Sequence, residues 1–385
     1  MLLVLLASAA NAFLLAPSYS DLRPVWNGTR AFLFAQTSPY ADSVNRQNSE
    51  EFHAATKDHP EYDLRFAYPP QSMLLFTPFA ILPFQWARCA MTIVCILLTL
   101  ASVLWWTGTF SWPFALGVLA IYPVMLGIQI QQPTVLFAAL LGLAVYAMRT
   151  DQPAFAGILL AMATGKPQLL TCLLPAVVFW VANDWQKRKR LVSAFLAGTV
   201  ALLAACFALL PGWPAQWVHA MRAYSTYAGK SLPTVALGHV LGAAVSGAVL
   251  LLALVPCWRM RHRFDQVLIL SVSSILLVLP EQPYNDLLLI APAWFLLQRP
   301  DSRQRPMFIL ARAAIVVTLA AVVPLTVLEL FFPRAKYAFQ MLFGGAGRVI
   351  LVAIYLSIVS VGLQEWKSYT DPAPGATAEI VAEET

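Results

Sequence analysis

Two charged side chains in this 385-residue sequence stand at or inside hydrocarbon, and both are types that take part in group transfer. Asp21 follows directly on the apolar residues 2–16, at a boundary between hydrocarbon and water. A carboxylate there reads either as a solvated acid or helix N-cap, or as a general base held against an acceptor hydroxyl. An unperturbed aspartate titrates near ~3.9, so it is ionised at neutral pH and accepts a proton without tuning. Lys166 lies within the apolar run 153–182, in Gly165-Lys166-Pro167-Gln168. A cation so placed either snorkels to an interface or faces a partner or cavity. As a compact point charge it suits a phosphate. Gln168 adds a polar head beside it, and Pro167 leaves a backbone carbonyl open for bonding.

Other polar and aromatic residues fall at fewer, defined places. Trp26, Pro39 and Tyr40 fall at spacings that suggest a short helix over about 22–36 followed by a turn, and the rings read equally as interfacial anchors or as substrate-stacking groups. Tyr68-Pro69-Pro70 makes a stiff return of the chain toward the membrane. Gln129, Gln131 and Gln132 sit between two apolar runs, as loop residues or as cavity lining. The connection 212–233 mixes aromatic and basic types, among them His219 and Arg222, in the manner of an interfacial belt. His239 follows Gly238 and reads as a helix-packing residue, Asp286 as the cap of an apolar run, and Arg334 as a weak candidate for assisting a phosphate. Asn27-Gly28-Thr29 matches a glycosylation acceptor. The five cysteines lie in or at the ends of apolar runs with no metal-type spacing, as small hydrophobic helix residues. No Walker, HExxH or nucleophile-elbow motif occurs, no redox cofactor is suggested, and the absence of a DxD pair gives no reason to expect a metal.

The elements that must position these residues are apolar helices. The chain is 59% hydrophobic and 11% charged, against about 25% charged in soluble domains. Continuous runs close to the ~20-residue span length indicate a polytopic helical membrane protein rather than a barrel. A first helix at 2–16 is favoured over a secretory signal because no basic n-region precedes it. Further spans are expected near 72–85, 87–107, 112–130, 132–148, 153–182, 191–211, 234–256, 266–280, 285–298, 307–331 and 347–364, about twelve in all (10–13). The run 153–182 is too long for one upright span, and reads as one tilted helix or as two half-helices meeting at Lys166. The net charge of +6 lies in short connections: 187–190, Arg259 to Arg263, and Arg299 to Arg305. That is the positive-inside pattern and not a basic nucleic-acid-binding face. It places Asp21 and the stretch 17–72, with five basic and seven acidic residues, outside. The tail after Ser368 has the composition of a disordered segment.

In order, these pieces resemble glycosyltransferase family 87, the polyprenyl-phosphate-dependent membrane mannosyltransferases of the GT-C superfamily. The residues that carry the resemblance are Asp21 with Trp26, Ser38-Pro39-Tyr40, Tyr68-Pro69-Pro70 with Pro78 and Leu82-Pro83, Gln132-Pro133-Thr134, Ala156-Gly157 with Lys166-Pro167-Gln168, and Tyr284 with Asp286. Gln131 departs from the family, which commonly carries glycine there. The resemblance implies a single integral membrane domain with a GT-C-like all-α bundle: a first helix at 1–16, an exterior catalytic loop at 17–72, a core at 73–300, C-terminal helices at 301–366 and a tail at 367–385. It also implies a hexosyltransferase with Asp21 as catalytic base and an exterior histidine, His219 or His239. The implied donor is a polyprenyl-phosphate sugar, mannose in most of the family, and the acceptor a lipid or glycan hydroxyl. Membrane lipids are then the surroundings, nucleic acid is no partner, and the place is a bacterial plasma membrane with the site facing the periplasm or exterior.

On that reading Lys166, with Gln168, Arg222 or Arg334, holds the donor phosphate. Trp26, Tyr40, Tyr68, Gln132, His219, His239 and Asp286 line the substrate cavity, and the lipid-phosphate sugar is a substrate, so no cofactor is expected. The competing class is a multi-span transporter or flippase. The absence of an internal repeat counts against it, because inverted repeats mark many such proteins.

Overall fold

The computed structural model describes residues 20–56, 65–120, 122–227, 230–279 and 283–298, which are overwhelmingly helical with no strand among them. The expected first helix at 1–16, the helices at 301–366, the tail, Arg334 and the third basic cluster lie outside the described residues.

Three described helices are long and apolar enough to cross a membrane: α4 (Phe84–Thr107), α10 (Trp185–Leu209) and α12 (Leu232–Arg259). At ~1.5 Å per residue they reach about 36–42 Å, enough for a hydrocarbon core of ~30 Å. Leu196, Val200 and Phe207 of α10, and Val240, Leu251 and Leu252 of α12, point outward. Such a face is stable only against lipid or another apolar surface. α4 lies deeper, with Met91, Cys95, Val103 and Trp106 in the core. Packed among the long helices are α5 (Trp112–Ala120), α6 (Tyr122–Gln129), α7 (Thr134–Arg149), α8 (Pro153–Ala163), α9 (Pro167–Asn183), α13 (Phe264–Val278) and α14 (Ile290–Gln298). All five cysteines are buried and none is joined in a disulfide, as expected of helix-packing residues.

Ion pairs and close packing fix the direction of each helix. At the end of α7, Arg149 donates to Asp265 at the start of α13 (2.6 Å) and to the Trp105 and Trp106 carbonyls of α4 (3.2 and 2.8 Å). Arg188 of α10 lies in the field of Asp184 and Asp151. Asp184 also caps α10 by accepting from the Lys187 N–H. The chain segments around 105, 150, 186 and 263 therefore share one end of the bundle, and two of the three basic clusters lie there.

From that end α8 rises beside α10. A Cβ on Gly157 would come 2.9 Å from the Ala194 Cβ, and one on Gly198 would meet that of Ala161 at 2.9 Å. Small residues let the two backbones touch. α9 then descends along α13, with the Cys172 carbonyl accepting from Ser271 (2.7 Å) and Trp180 packing on Phe264 (ring centroids 6.0 Å). The run 153–182 is thus an up-and-down hairpin, with Lys166 in its turn, rather than one crossing. Pro167 is the reason: it stands at the first position of α9, where its missing N–H is harmless, and disfavours helix at Lys166 before it.

A second departure offsets the first. Residues 72–85 form no span but a short turn, Pro70–Ser72, followed by α3 (Met73–Ala80), which at 8 residues rises about 12 Å. Asp21 and the basic cluster 187–190 consequently remain at opposite ends of the bundle. With 11 residues, α8 climbs about 16 Å against about 37 Å for α10, so its turn is sunk below the upper rim.

The polar stretch beyond Asp21 folds into α1 (Leu22–Ala35) and α2 (Asp42–Thr56). Arg23 pairs with Glu51 at 2.8 Å, and Asn27 donates to Asn48 (2.8 Å) and Glu51 (2.9 Å). Burial alone raises the Glu51 carboxyl, but hydrogen bonds from Asn27 and Gln47 and the Arg23 charge outweigh it and hold it below its ordinary value. The glycosylation-type triplet is therefore shut inside the fold. Asn27 is 4% exposed, Thr29 is buried, and a Cβ on Gly28 would strike the Phe66 ring.

Candidate active site

The site is assembled around the end of α6. Gln131 N–H bonds to the Ile128 carbonyl (3.2 Å) and Gln132 N–H to that of Gly127 (2.7 Å), with Gln131 at φ 51°. This is a Schellman ending, which reverses the chain within three residues and turns the carbonyl before the left-handed residue outward. The Ile130 carbonyl so exposed accepts the Asp21 N–H at 2.8 Å. Gln132 follows, and its Nε2 donates to Asp21 Oδ2. Its Oε1 faces the Thr134 N–H (3.4 Å) and the Tyr68 hydroxyl (3.5 Å), which orients the amide with its donor toward Asp21. Asp21 occupies the N-cap position of α1, yet its side chain caps no helix N–H. The carboxylate instead accepts from Gln132, which decides against the helix-cap alternative.

Lys166 reaches the same place from the α8–α9 turn. It is 5% exposed, donates to Thr134 Oγ1, and lies 5.7 Å from the centroid of the Tyr68 ring. That ring stacks on Phe137 (6.5 Å, 11° between planes), whose own ring fills the space beside Gly165. An ammonium over an aromatic face is attracted by the ring quadrupole. The Asp21 carboxylate attracts it as well. An acid and a base from opposite ends of the first 170 residues thus flank the short segment Gln132–Thr134.

Two rigid supports hold the Tyr68 segment. The Tyr40 hydroxyl donates to the Tyr68 carbonyl (2.6 Å), and burial pushes that phenol far above its ordinary value. Trp217, on α11 (Trp213–Tyr227), donates to the Ala67 carbonyl (3.2 Å), while Gln216 accepts from Ser38 (2.7 Å). α11 therefore lies across the sunken end. It brings Tyr224 into the field of Asp21; burial, with the carboxylate adding, pushes this phenol up to about 12.

The sequence candidates divide. Asp21, Lys166, Gln132, Tyr68 and Tyr40 are brought together. Trp26 turns away: its indole donates to the Leu82 carbonyl (3.1 Å) and packs edge-on against Phe84 (5.1 Å), as an anchor of α1. Gln168 is half-buried on the first turn of α9, and its side-chain amide makes no hydrogen bond among the described residues. His219 and Arg222 are exposed on α11, and His239 is exposed just past a break in α12 at Gly238 (φ 78°, ψ 177°). Asp286 falls in the short helix Pro283–Leu289, near α6, α7 and α13.

Four residues went unassigned from sequence. Thr134 appeared only as a motif letter, and Tyr224 only as one ring of a belt. Ser20 and Arg88, joined to Gln131 at 2.8 and 3.4 Å, carried no signal beyond a hydroxyl beside Asp21 and a cation early in an apolar run.

The model of glycosyltransferase family 87 matches residues 66–280, more than half of the chain. The matched stretch contains Tyr68, Gln132, Thr134 and Lys166 and begins downstream of Asp21. No curated protein matches the sequence.

Proposed function

Because this chain belongs to glycosyltransferase family 87 and is an integral membrane glycosyltransferase, we propose that it moves a hexose, mannose by family resemblance, from a polyprenyl-phosphate donor to a lipid or glycan hydroxyl. The observation that carries this reading is the convergence of the Asp21 carboxylate and the buried Lys166 ammonium on Gln132–Thr134, at the end opposite the basic connections. Asp21 takes the proton of the acceptor hydroxyl as its oxygen attacks the anomeric carbon. The bond to the phosphate breaks on the opposite face, so one displacement inverts the centre. Negative charge grows on the departing phosphate, and a fixed cation stabilises it more in the transition state than before it. Lys166 supplies that cation, with its Nζ held by Thr134 and Tyr68. The sunken turn suits a donor whose chain lies in the membrane, and the basic end, as the cytoplasmic side, directs the site to the exterior or periplasm.

Membranes containing the parent protein should transfer radiolabel from polyprenyl-phosphate mannose to lipid or glycan. Asp21→Asn should lower that rate by about 10²–10⁴. Undiminished transfer by the variant would remove Asp21 as the base. Solute uptake with no transfer by the parent would favour a transporter.

A further inference from the structure

The turn that carries Gln132 to Asp21 contains a second glutamine, which the transfer step does not use. Gln131 stands at the left-handed position of the Schellman ending, where glycine fits best because a Cβ crowds the following carbonyl. It is 1% exposed. The side chain that makes this position costly is saturated with hydrogen bonds. Oε1 accepts from Ser20 Oγ (2.8 Å) and from Arg88 Nε (3.4 Å), while Nε2 donates to Thr92 Oγ1 (3.2 Å) and to the Gln129 carbonyl (2.6 Å). Two acceptor and two donor positions exhaust what a primary amide offers. Arg88 and Thr92 lie one turn apart on α4, a long helix buried in the core. Ser20 immediately precedes Asp21, and its hydroxyl also reaches the Ile130 carbonyl (3.4 Å) that receives the Asp21 N–H.

We propose that Gln131 is a positioning residue for Asp21. Its amide ties Ser20, through the hydroxyl, to α4, and so sets the direction of the neighbouring carboxylate toward the acceptor. The chain of contact is Arg88 and Thr92 to Gln131, Gln131 to Ser20, and Ser20 to its neighbour Asp21. The Schellman turn brings Asp21 close through Ile130, and Gln132 holds one carboxylate oxygen. Gln131 fixes the remaining rotation of the segment that both act on. The proposal rests on the reading of Asp21 as the base.

Gln131→Gly tests it, because it relieves the left-handed strain while deleting the clamp. Gln36→Gly is the control: Gln36 also sits left-handed (φ 48°), at the C-terminus of α1, exposed and away from the site. Assayed in the full-length protein, Gln131→Gly should lower kcat about tenfold to a hundredfold, with the donor KM within about twofold, since small misplacement of a reacting group costs rate more than binding. Gln36→Gly should change neither. Ser20→Ala, a milder change, should lower kcat similarly, and the double variant should fall no further than the worse single one. A Gln131→Gly enzyme with parental kcat overturns the proposal. So do additive losses in the double variant, or kcat falling only in step with melting temperature. Asp21→Asn is assayed alongside. If it is inactive while Gln131→Gly is fully active, only the positioning role falls. If Asp21→Asn is fully active, the base assignment falls and this inference with it.

Discussion

Lys166 is held by a hydroxyl and an aromatic face and lies close to Asp21, and on the proposed reading it meets the incoming phosphate. Lys166→Met keeps the length of the stem and removes the charge. It should reduce transfer by about 10²–10³, the usual consequence of deleting one stabilising donor. The measurement is initial rate at saturating donor; a variant that loses only donor affinity and keeps its maximal rate would show a cation that binds without assisting departure. The residues gathered at the candidate site were partly legible from sequence. A carboxylate at the edge of hydrocarbon and a lysine inside it are conspicuous because water is absent around them. Gln132, one member of a glutamine cluster, needed the structure to show which amide meets Asp21, since three glutamines in four positions look alike until a helix ending assigns their directions. Trp26 reads from sequence as an anchor or as a stacking ring, and only its packing chooses between them. The indole sits about one turn along α1 from Asp21 and packs on Leu82 and Phe84, as an anchor of that helix.

At the scale of elements, hydropathy counts apolar length and cannot see a reversal that happens inside it. The run 153–182 reads from sequence as one tilted helix or as two half-helices meeting at Lys166 and counts as a single span, whereas Gly165-Lys166-Pro167 is the top of a hairpin between α8 and α9. The signal for the reversal was in the sequence as spacing of small residues, Gly157 and Ala161 on one helix against Ala194 and Gly198 on another, but that pairing is visible only once α8 and α10 are known to run side by side. The same contact yields a prediction. Gly157→Val would drive a branched side chain into the α10 backbone, and overpacking of this kind typically costs about 1–3 kcal/mol. Melting in detergent should report the loss, and activity should fall because α8 sets the height of Lys166. If the variant melts like the parent, the two helices are farther apart than described.

For the whole molecule, the sidedness of charge and of the site are two views of one arrangement. Asp151, Asp184, Arg149, Arg188 and Asp265 gather at one end; Asp21, Lys166 and α11 gather at the other. Cysteines introduced at Ser38 and at Lys189, in a background without the native five, should react with a membrane-impermeant thiol reagent from opposite faces, Ser38→Cys from outside in intact cells. Both positions are at the surface and neither belongs to the site. Labelling of both from one face would contradict the arrangement. That overall polarity was readable from the basic clusters alone, because two misjudged segments, one counted as a crossing and one counted once instead of twice, cancel in the alternation.

The amide of Asn27 is engaged twice within the closed pair α1 and α2, by Asn48 and by Glu51. Oligosaccharide attachment in a secretory pathway acts on newly translocated, still unfolded chains, so in such an expression host the race is between the closing of these two helices and the modifying enzyme. Molecules that lose the race carry a bulky sugar on a nitrogen that has no room for it and should accumulate as a heavier, inactive band. Asn27→Gln should abolish that band, while Thr29→Val should do so and leave the Asn27 contacts untouched, which makes it the better choice for producing uniform material.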